Sequence, residues 1–433
     1  MPTPETKLLG SEVFEEQGTA TAVLTDLYSR MRDNGMLSGS YNNYPGLCGD
    51  ELVDLSPWVA EGSGAFYNNS LLPTNSFIST FWNNAYNQIY TANSILEGVA
   101  GSKNLSLDIR QQFRGEALFI RAFLHFYLTI QFGALPYVDT TDYITNKSLS
   151  RISQEKVYQR IISDLNEAVT LLPETYITTD RARVNKWVAK AMLARVYLYH
   201  KDWALASSLA TEVIEQKTLY KLEDDLDNVF LKSSKETIWH FDPGVVGLNT
   251  QEGAAAILYY DPTGGGKILS DQLMAAFETG DKRRQSWIGS YSSGGSTWYY
   301  SYKYKQRSQT AVSLEFSVIL RLAELYLIRA EAFANLQMTD KAIADINTIR
   351  NRAGLQGINA PSADELQDAI LHERQVELFY EFSHRWYDLV RTNKADQVLA
   401  HIKPGWKATD TLLPIPQSEL LSNPNLLPQN PGY

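Results

Sequence analysis

The chain carries one cysteine, Cys48, so no internal disulfide is open to it and no metal site can rest on thiolates. Its six histidines are scattered, with no pair at a ligand spacing, which argues against a histidine-held metal. No apolar run reaches the roughly 18 residues that a bilayer span needs. The start, Met1-Pro2-Thr3-Pro4-Glu5-Thr6, has neither a basic stretch nor an apolar core, so it is no signal peptide. The chain is therefore expected to be cytoplasmic, or to be a mature form whose export signal has been removed. Positive charge is also short. Lys and Arg number 39 against 49 Asp and Glu, a net −10, which disfavours nucleic acid and anionic lipid as partners and leaves neutral ligands open.

Signatures of catalysis are missing too. His372-Glu373 has no second histidine at the spacing of a zinc helix, and Gly264-Gly265-Gly266-Lys267 runs into Ile268 where a phosphate loop needs Ser or Thr. No G-x-S-x-G elbow occurs. Asp224, Asp225, Asp227 and Asn228 lack the Gly and distal Glu of a calcium loop, and read as a solvated turn. No catalytic residue, metal or cofactor is expected.

What is present is apolar period and aromatic surface. The 433 residues are 44% hydrophobic, enough for a large core. The pattern is organised around Val318–Leu355. Ile319, Leu322, Ala323, Tyr326, Ala330 and Phe333 hold the spacing of one helix face. After a break at Asn335–Thr339, with Thr339 as N-cap and Asp340 in the first turn, a second run passes through Ala342, Ile343, Ile346 and Ile349. Gly354 offers a left-handed stop. Ala330 and Ala342 sit where small side chains let two antiparallel helices approach, the tetratricopeptide pattern. Asn185–Lys217 repeats it with Ala194, Tyr197 and Ala206, and Ala122 with Ala168 begins a third unit across a long insertion. Further helices are expected at Ser11–Asn34, Ser76–Gly98, Leu105–Gln131 and Gln154–Leu172, with Ser362–Thr392 as a helix pair or one long helix. In that last segment Glu373, Arg374, Glu377, Arg385 and Asp388 alternate with apolar residues and read as charge pairs that pin helices.

Two stretches break the helical period. Gly35–Asn75 is rich in Gly, Asn, Pro and aromatics, and a loop this long in a compact chain is usually functional or disordered. Tyr220–Thr310 is turn-rich, with a short strand at Thr237–Phe241, at most a short helix at Ser270–Glu278, and ring clusters such as Trp298-Tyr299-Tyr300. Aromatics are 12% of the chain, with 25 Tyr, more than a core requires. Sugar rings present C–H faces that lie on aromatic rings, while their hydroxyls need Asn, Asp, Gln or Arg, and both loops offer both.

Several segments, in order, resemble the SusD/RagB family of cell-surface nutrient-binding lipoproteins of Bacteroidetes. They are Phe81-Trp82 through Asn93, RGEALFIRAFLHFYLTIQFGALPYV, ILRLAELYLIRAEA with INTIRNRAGL, ERQVELFYEFSHRWYDLVR, and the ending LLPIPQSEL…NPNLLPQNPGY. The resemblance spans nearly the whole chain. It implies a mainly α, SusD-like single domain over residues 1–433. About four tetratricopeptide-like hairpins (about 11–34, 76–219 and 314–400) would carry a loop-rich ligand lobe (about 35–75 and 220–313) and an extended C-terminal segment (401–433). It implies a non-catalytic glycan-binding protein on the outer face of the outer membrane, with a SusC-like TonB-dependent transporter as partner. The family's lipidated cysteine is not in this chain, since Cys48 lies too deep to be it.

Ligand residues in the family come from the loop after the first helix and from the loop-rich lobe. On that basis Trp58, Tyr67 and Trp298 are expected to stack on sugar, with Tyr41 and Tyr299 as lesser candidates, and Asp50, Asn68 and Asn69 to hydrogen-bond hydroxyls. Peptide capture is the variant within this class. A tetratricopeptide adaptor is the competing class, and a glycosidase would need a carboxylate pair that no motif nominates.

Overall fold

The computed structural model describes residues 12–36, 39, 43–56, 62–359 and 362–433. Among them ten helices of eight residues or more carry the fold: α1 Gln17–Asn34, α2 Ser76–Gly101, α3 Leu107–Phe132, α4 Gln154–Leu171, α5 Lys186–His200, α6 Trp203–Ile214, α7 Leu322–Asn335, α8 Thr339–Arg352, α9 Ala363–Leu378 and α10 His384–Arg391. Side-chain caps fix several of their starts. Ser106, Ser153 and Asn185 each accept from the N–H three residues on, at Ile109, Lys156 and Val188. Ser362 and Glu365 form a reciprocal capping box on α9. No helix among the described residues is long and apolar enough to cross a membrane.

Neighbouring helices stack in sequence. α3 packs on α2 and α4, α5 on α4 and α6, and α7 on α6 and α8. Ala122, Ala168, Ala194, Ala206, Ala330 and Ala342 are all fully buried, so the three expected close contacts exist. α3 is buried on nearly every side from Gly115 to Phe132, as its all-round apolar pattern requires. Gly354, at φ 80, closes α8. Its N–H donates to the Asn351 carbonyl and the Leu355 N–H to that of Arg350, at 3.0 and 2.9 Å, which is a Schellman stop.

The organising stretch differs from its sequence reading at two points. Val318–Arg321 is not helix. It lies in β6 (Ser317–Arg321), antiparallel to β2 (Thr237–Phe241), with His240 opposite Val318. All five residues of each strand are buried, so neither shows an alternating pattern. Ile319 therefore belongs to a strand, and α7 begins only at Leu322. Thr339 is the first residue of α8 and not its cap; Met338 holds that position with no side-chain bond, while Asp340 does lie in the first turn. The 362–392 segment is two helices, broken where Tyr380, Phe382 and Ser383 turn left-handed at φ 58, 45 and 56.

The loop-rich regions have more order than their composition suggests. β1 (Leu52–Asp54) pairs with β3 (Lys267–Leu269), which ties the first loop to the second. β4 (Ile288–Ser293) and β5 (Ser296–Ser301) form a hairpin whose two turn residues, Gly294 and Gly295, both have positive φ. That is the turn whose twist suits a two-residue connection.

A buried ionic cluster joins these regions to the helices. Arg283 meets Asp281, Glu373 and Glu377, and Arg321 meets Glu236, Glu377 and Glu381. Arg352 reaches Glu236 and Glu377, Arg350 reaches Glu278 and Glu373, and Lys303 meets Glu381. Five cations thus face six carboxylates, so the cluster is close to neutral. Burial pushes Glu377 up, but Arg352, Arg321 and Arg283 hold it well below the usual carboxylate range. Arg374 pairs with Asp388 and Arg385 with Asp50, so the whole charged row of this segment is structural.

Candidate ligand-binding site

A cavity of about 340 Å³ opens where the first loop meets the second. Asn43 and Tyr44 line it from the first loop, Tyr259 and Tyr260 from the segment after the short helix Gln251–Ala256, and Lys267, Arg307 and Tyr380 close it. Gly39 makes the junction possible. A Cβ there would stand 2.4 Å from the Gln251 Cβ and 2.7 Å from the Glu252 nitrogen, so only glycine fits. Gly266 meets Pro262 in the same way, at 2.4 Å, and leads directly into β3.

Tyr259 and Tyr260 are 60% and 49% exposed, unusual for rings of this size. They meet edge to face at 4.6 Å and 86°. The Arg307 guanidinium lies 3.4 Å from the Tyr259 ring centroid, which braces that ring in place. One buried donor in the wall, the Arg307 Nε, has no hydrogen-bond partner among the described residues. Lys267 stands over the Tyr44 ring at 5.0 Å. Burial lowers its pKa, and Asp54 opposes the shift.

Behind the cavity, the Glu51 carboxylate accepts from the Tyr380 N–H and so holds the left-handed corner that carries the Tyr380 ring. Burial raises the Glu51 pKa to about 7, against the pull of that N–H and of Lys303. No carboxylate is among the residues that line the cavity, so among the described residues it holds no acid–base pair for glycosidic cleavage. No group of His, Cys, Asp or Glu among the described residues is placed to hold a metal. The arrangement offers rings to stack on and two cations, Lys267 and Arg307, the latter with an unpaired N–H for a hydroxyl.

The six described residues among those expected from the sequence lie elsewhere. Tyr41 and Trp58 fall outside the described residues. Asp50 is buried, and both its oxygens accept from Arg385, at 2.9 and 2.6 Å, so its carboxylate is committed to the fold and not to a ligand hydroxyl. Asn69 is buried at φ 51, a left-handed turn position, rather than facing solvent. Asn68 donates to the Gly64 carbonyl at 2.9 Å. Lys403 covers the Tyr67 ring at 3.7 Å and donates to the Tyr67 carbonyl, which ties this loop to the C-terminal segment. Trp298 and Tyr299 are half-buried on β5, with Trp298 stacked on Tyr291 at 6.4 Å. None of the six described residues lines the cavity. The sequence reading missed Tyr259, Tyr260 and Arg307. The available signal was a Tyr pair immediately before the turn Asp261-Pro262-Thr263-Gly264.

Two family models match the chain. One, described as starch-binding and associating with the outer membrane, covers residues 12–198. The other, the SusD family model, covers residues 270–433. A SusD-like protein of Formosa agariphila is 29% identical over 441 residues, spanning 88% of this chain and 86% of its own. A SusD-like protein of Bacteroides ovatus is 26% identical, over 78% of this chain and 70% of its own. Among solved structures, a SusD superfamily protein from Bacteroides vulgatus superposes with a TM-score of 0.85 at 23% identity, covering 97% of this chain and 99% of its own. A laminarin-binding SusD-like protein superposes at 0.81 with 25% identity, covering 96% and 99%.

Proposed function

We propose, since this chain belongs to the SusD family, that it is a non-catalytic glycan-binding protein. It captures an oligo- or polysaccharide at the outer face of the outer membrane and hands it to a SusC-like TonB-dependent transporter. The observation that carries this reading is the exposed Tyr259–Tyr260 pair on a cavity with an unpaired donor at Arg307 and no carboxylate among its described lining residues. Stacking on such rings suits the C–H faces of a neutral sugar. A family model described as starch-binding, and a laminarin-binding protein of the same fold, support the ligand class. Binding is shallow and weak, because a few rings on loops bury little surface.

Calorimetric titration with laminarin and with starch tests this. Tyr259→Ala together with Tyr260→Ala is expected to weaken binding of the preferred glucan by about ten-fold or more, since a stacked ring is worth on the order of 1 kcal/mol. Unchanged affinity in a folded double variant overturns the assignment. The pair Trp58→Ala and Trp298→Ala, run in parallel, tests the sites expected from the sequence. Loss there with binding retained in the first pair assigns the ligand to Trp58 and Trp298 in place of Tyr259 and Tyr260.

A further inference from the structure

A second groove, of about 520 Å³, runs between α2 and the short helix Tyr143–Asn146 and shares no lining residue with the first cavity. Its α2 wall presents Asn83, Asn87 and Tyr90, and the facing wall presents Tyr143, Asn146 and Lys147. At about 100° per residue, Asn83 and Tyr90 lie roughly 120–180° around α2 from Phe77 and Phe81, the rings that Tyr44 of the first cavity packs on, and Asn87 roughly 80–120°. Tyr90 is 52% exposed and Tyr143 is 74% exposed.

The groove is built rather than incidental. Its floor is the buried Trp82, packed on Tyr86 at 4.9 Å, and the Tyr86 hydroxyl donates to the Pro136 carbonyl at 2.8 Å. Asn146 donates from Nδ2 to the Thr140 carbonyl at 2.8 Å, while its buried Oδ1 has no partner among the described residues. The Asn83 and Asn87 carboxamides make no hydrogen bond to the described residues. Being one turn apart, they offer adjacent donor and acceptor pairs. The charged groups are one cation, Lys147, and one carboxylate, Glu419, whose pKa burial raises and the facing Trp82 indole lowers. No single sign of charge dominates, which disfavours a phosphorylated or acidic ligand.

We propose that this groove is a second glycan-binding site, taking a short run of neutral sugar residues between the Tyr90 and Tyr143 rings. Its ligand class rests on the reading of the first cavity, but its residues do not. Two weak sites on one chain raise the avidity for a polymer without any new contact.

The test is a titration of short laminarin- and starch-derived oligosaccharides into four proteins: wild type, Tyr259→Ala/Tyr260→Ala, Tyr90→Ala/Tyr143→Ala, and all four changes together. Circular dichroism confirms the fold of each. Both groove rings are exposed, so their loss leaves the core untouched. The expected result is residual binding in the first-cavity variant that falls by about ten-fold or more when the groove rings are also removed. Intrinsic fluorescence gives a local readout, because a sugar in the groove lies over Trp82. The part of the change that Trp82→Phe removes should vanish in Tyr90→Ala/Tyr143→Ala. Loss of all binding in Tyr259→Ala/Tyr260→Ala alone overturns the second site and leaves the first reading standing. Binding that survives that variant in full and disappears with the groove rings overturns the first reading and supports this one. Wild type that binds neither sugar overturns both.

Discussion

Replacing Glu51 by Gln should remove a pH dependence of stability that the wild type has. The Glu51 carboxyl is buried under the Tyr380 corner, and burial raises its pKa from 4.5 to about 7. In the unfolded chain it titrates near 4.5. Between those values the folded state keeps a proton that the unfolded state has released. Stability from this group is therefore full below pH 4.5, falls as pH rises through the window, and levels off above about pH 7. The window spans roughly 2.5 pH units, which corresponds to about 3 kcal/mol. Gln cannot titrate. It can still accept from the Tyr380 N–H, so any loss or gain from its amide is the same at every pH. The assay is urea unfolding of both proteins at pH 4.5 and pH 8. The stability of Glu51→Gln minus that of wild type should rise by about 3 kcal/mol from the lower to the higher pH. All other titrating groups cancel in that difference. A difference that stays constant would refute the assigned burial of this carboxyl, and with it the docking of the first loop on the Tyr380 corner.

Acid should act through three histidines. Burial lowers His125 to about 3, and His240 and His384 to about 4, all from 6.5. Their contribution is present above pH 6.5 and lost as pH falls, by about 2 kcal/mol each at pH 5; NMR titration should find these three rings neutral at pH 5, and a midpoint near 6.5 in any of them contradicts the burial. Ala194→Leu should cost about 1–3 kcal/mol by overpacking the α5–α6 contact, read as a lower urea midpoint; an unchanged midpoint would mean that the axes are not as close as described.

The helices were legible because their evidence is local. A 3.6-residue period lies within one stretch of chain, and so does a capping Ser or Asn, as in α4 and α5, or a Gly at the stop, as in α8. β6 was not legible, because a strand buried on both faces has the same apolar run as the start of a buried helix. The β4–β5 hairpin could have been found, since Gly294-Gly295 between polar and aromatic residues is a recognised turn signal. The family, and with it the architecture, came from motif order, which the comparisons bear out. The site was less accessible. Asp50 looks like a free carboxylate until Arg385, 335 positions away, is placed beside it. Tyr259 and Tyr260 were overlooked because composition cannot rank one aromatic cluster above another. Exposure ranks them, and exposure is a property of the fold.

The buried ionic cluster has a consequence for how the molecule comes apart. Lys303 from the loop-rich region pairs with Glu381 of the C-terminal helical region, Arg283 shares its charge between the local Asp281 and the distant Glu373 and Glu377, and Glu236 pairs with Arg321 and Arg352. Opening either region alone strands charges in an apolar surrounding, at several kcal/mol for each one left unpaired. Intermediates with one half folded are thereby suppressed. The binding lobe cannot be excised as a module of its own, and variation in ligand choice is confined to loops such as 254–266 that can change without touching the electrostatic latch beneath them.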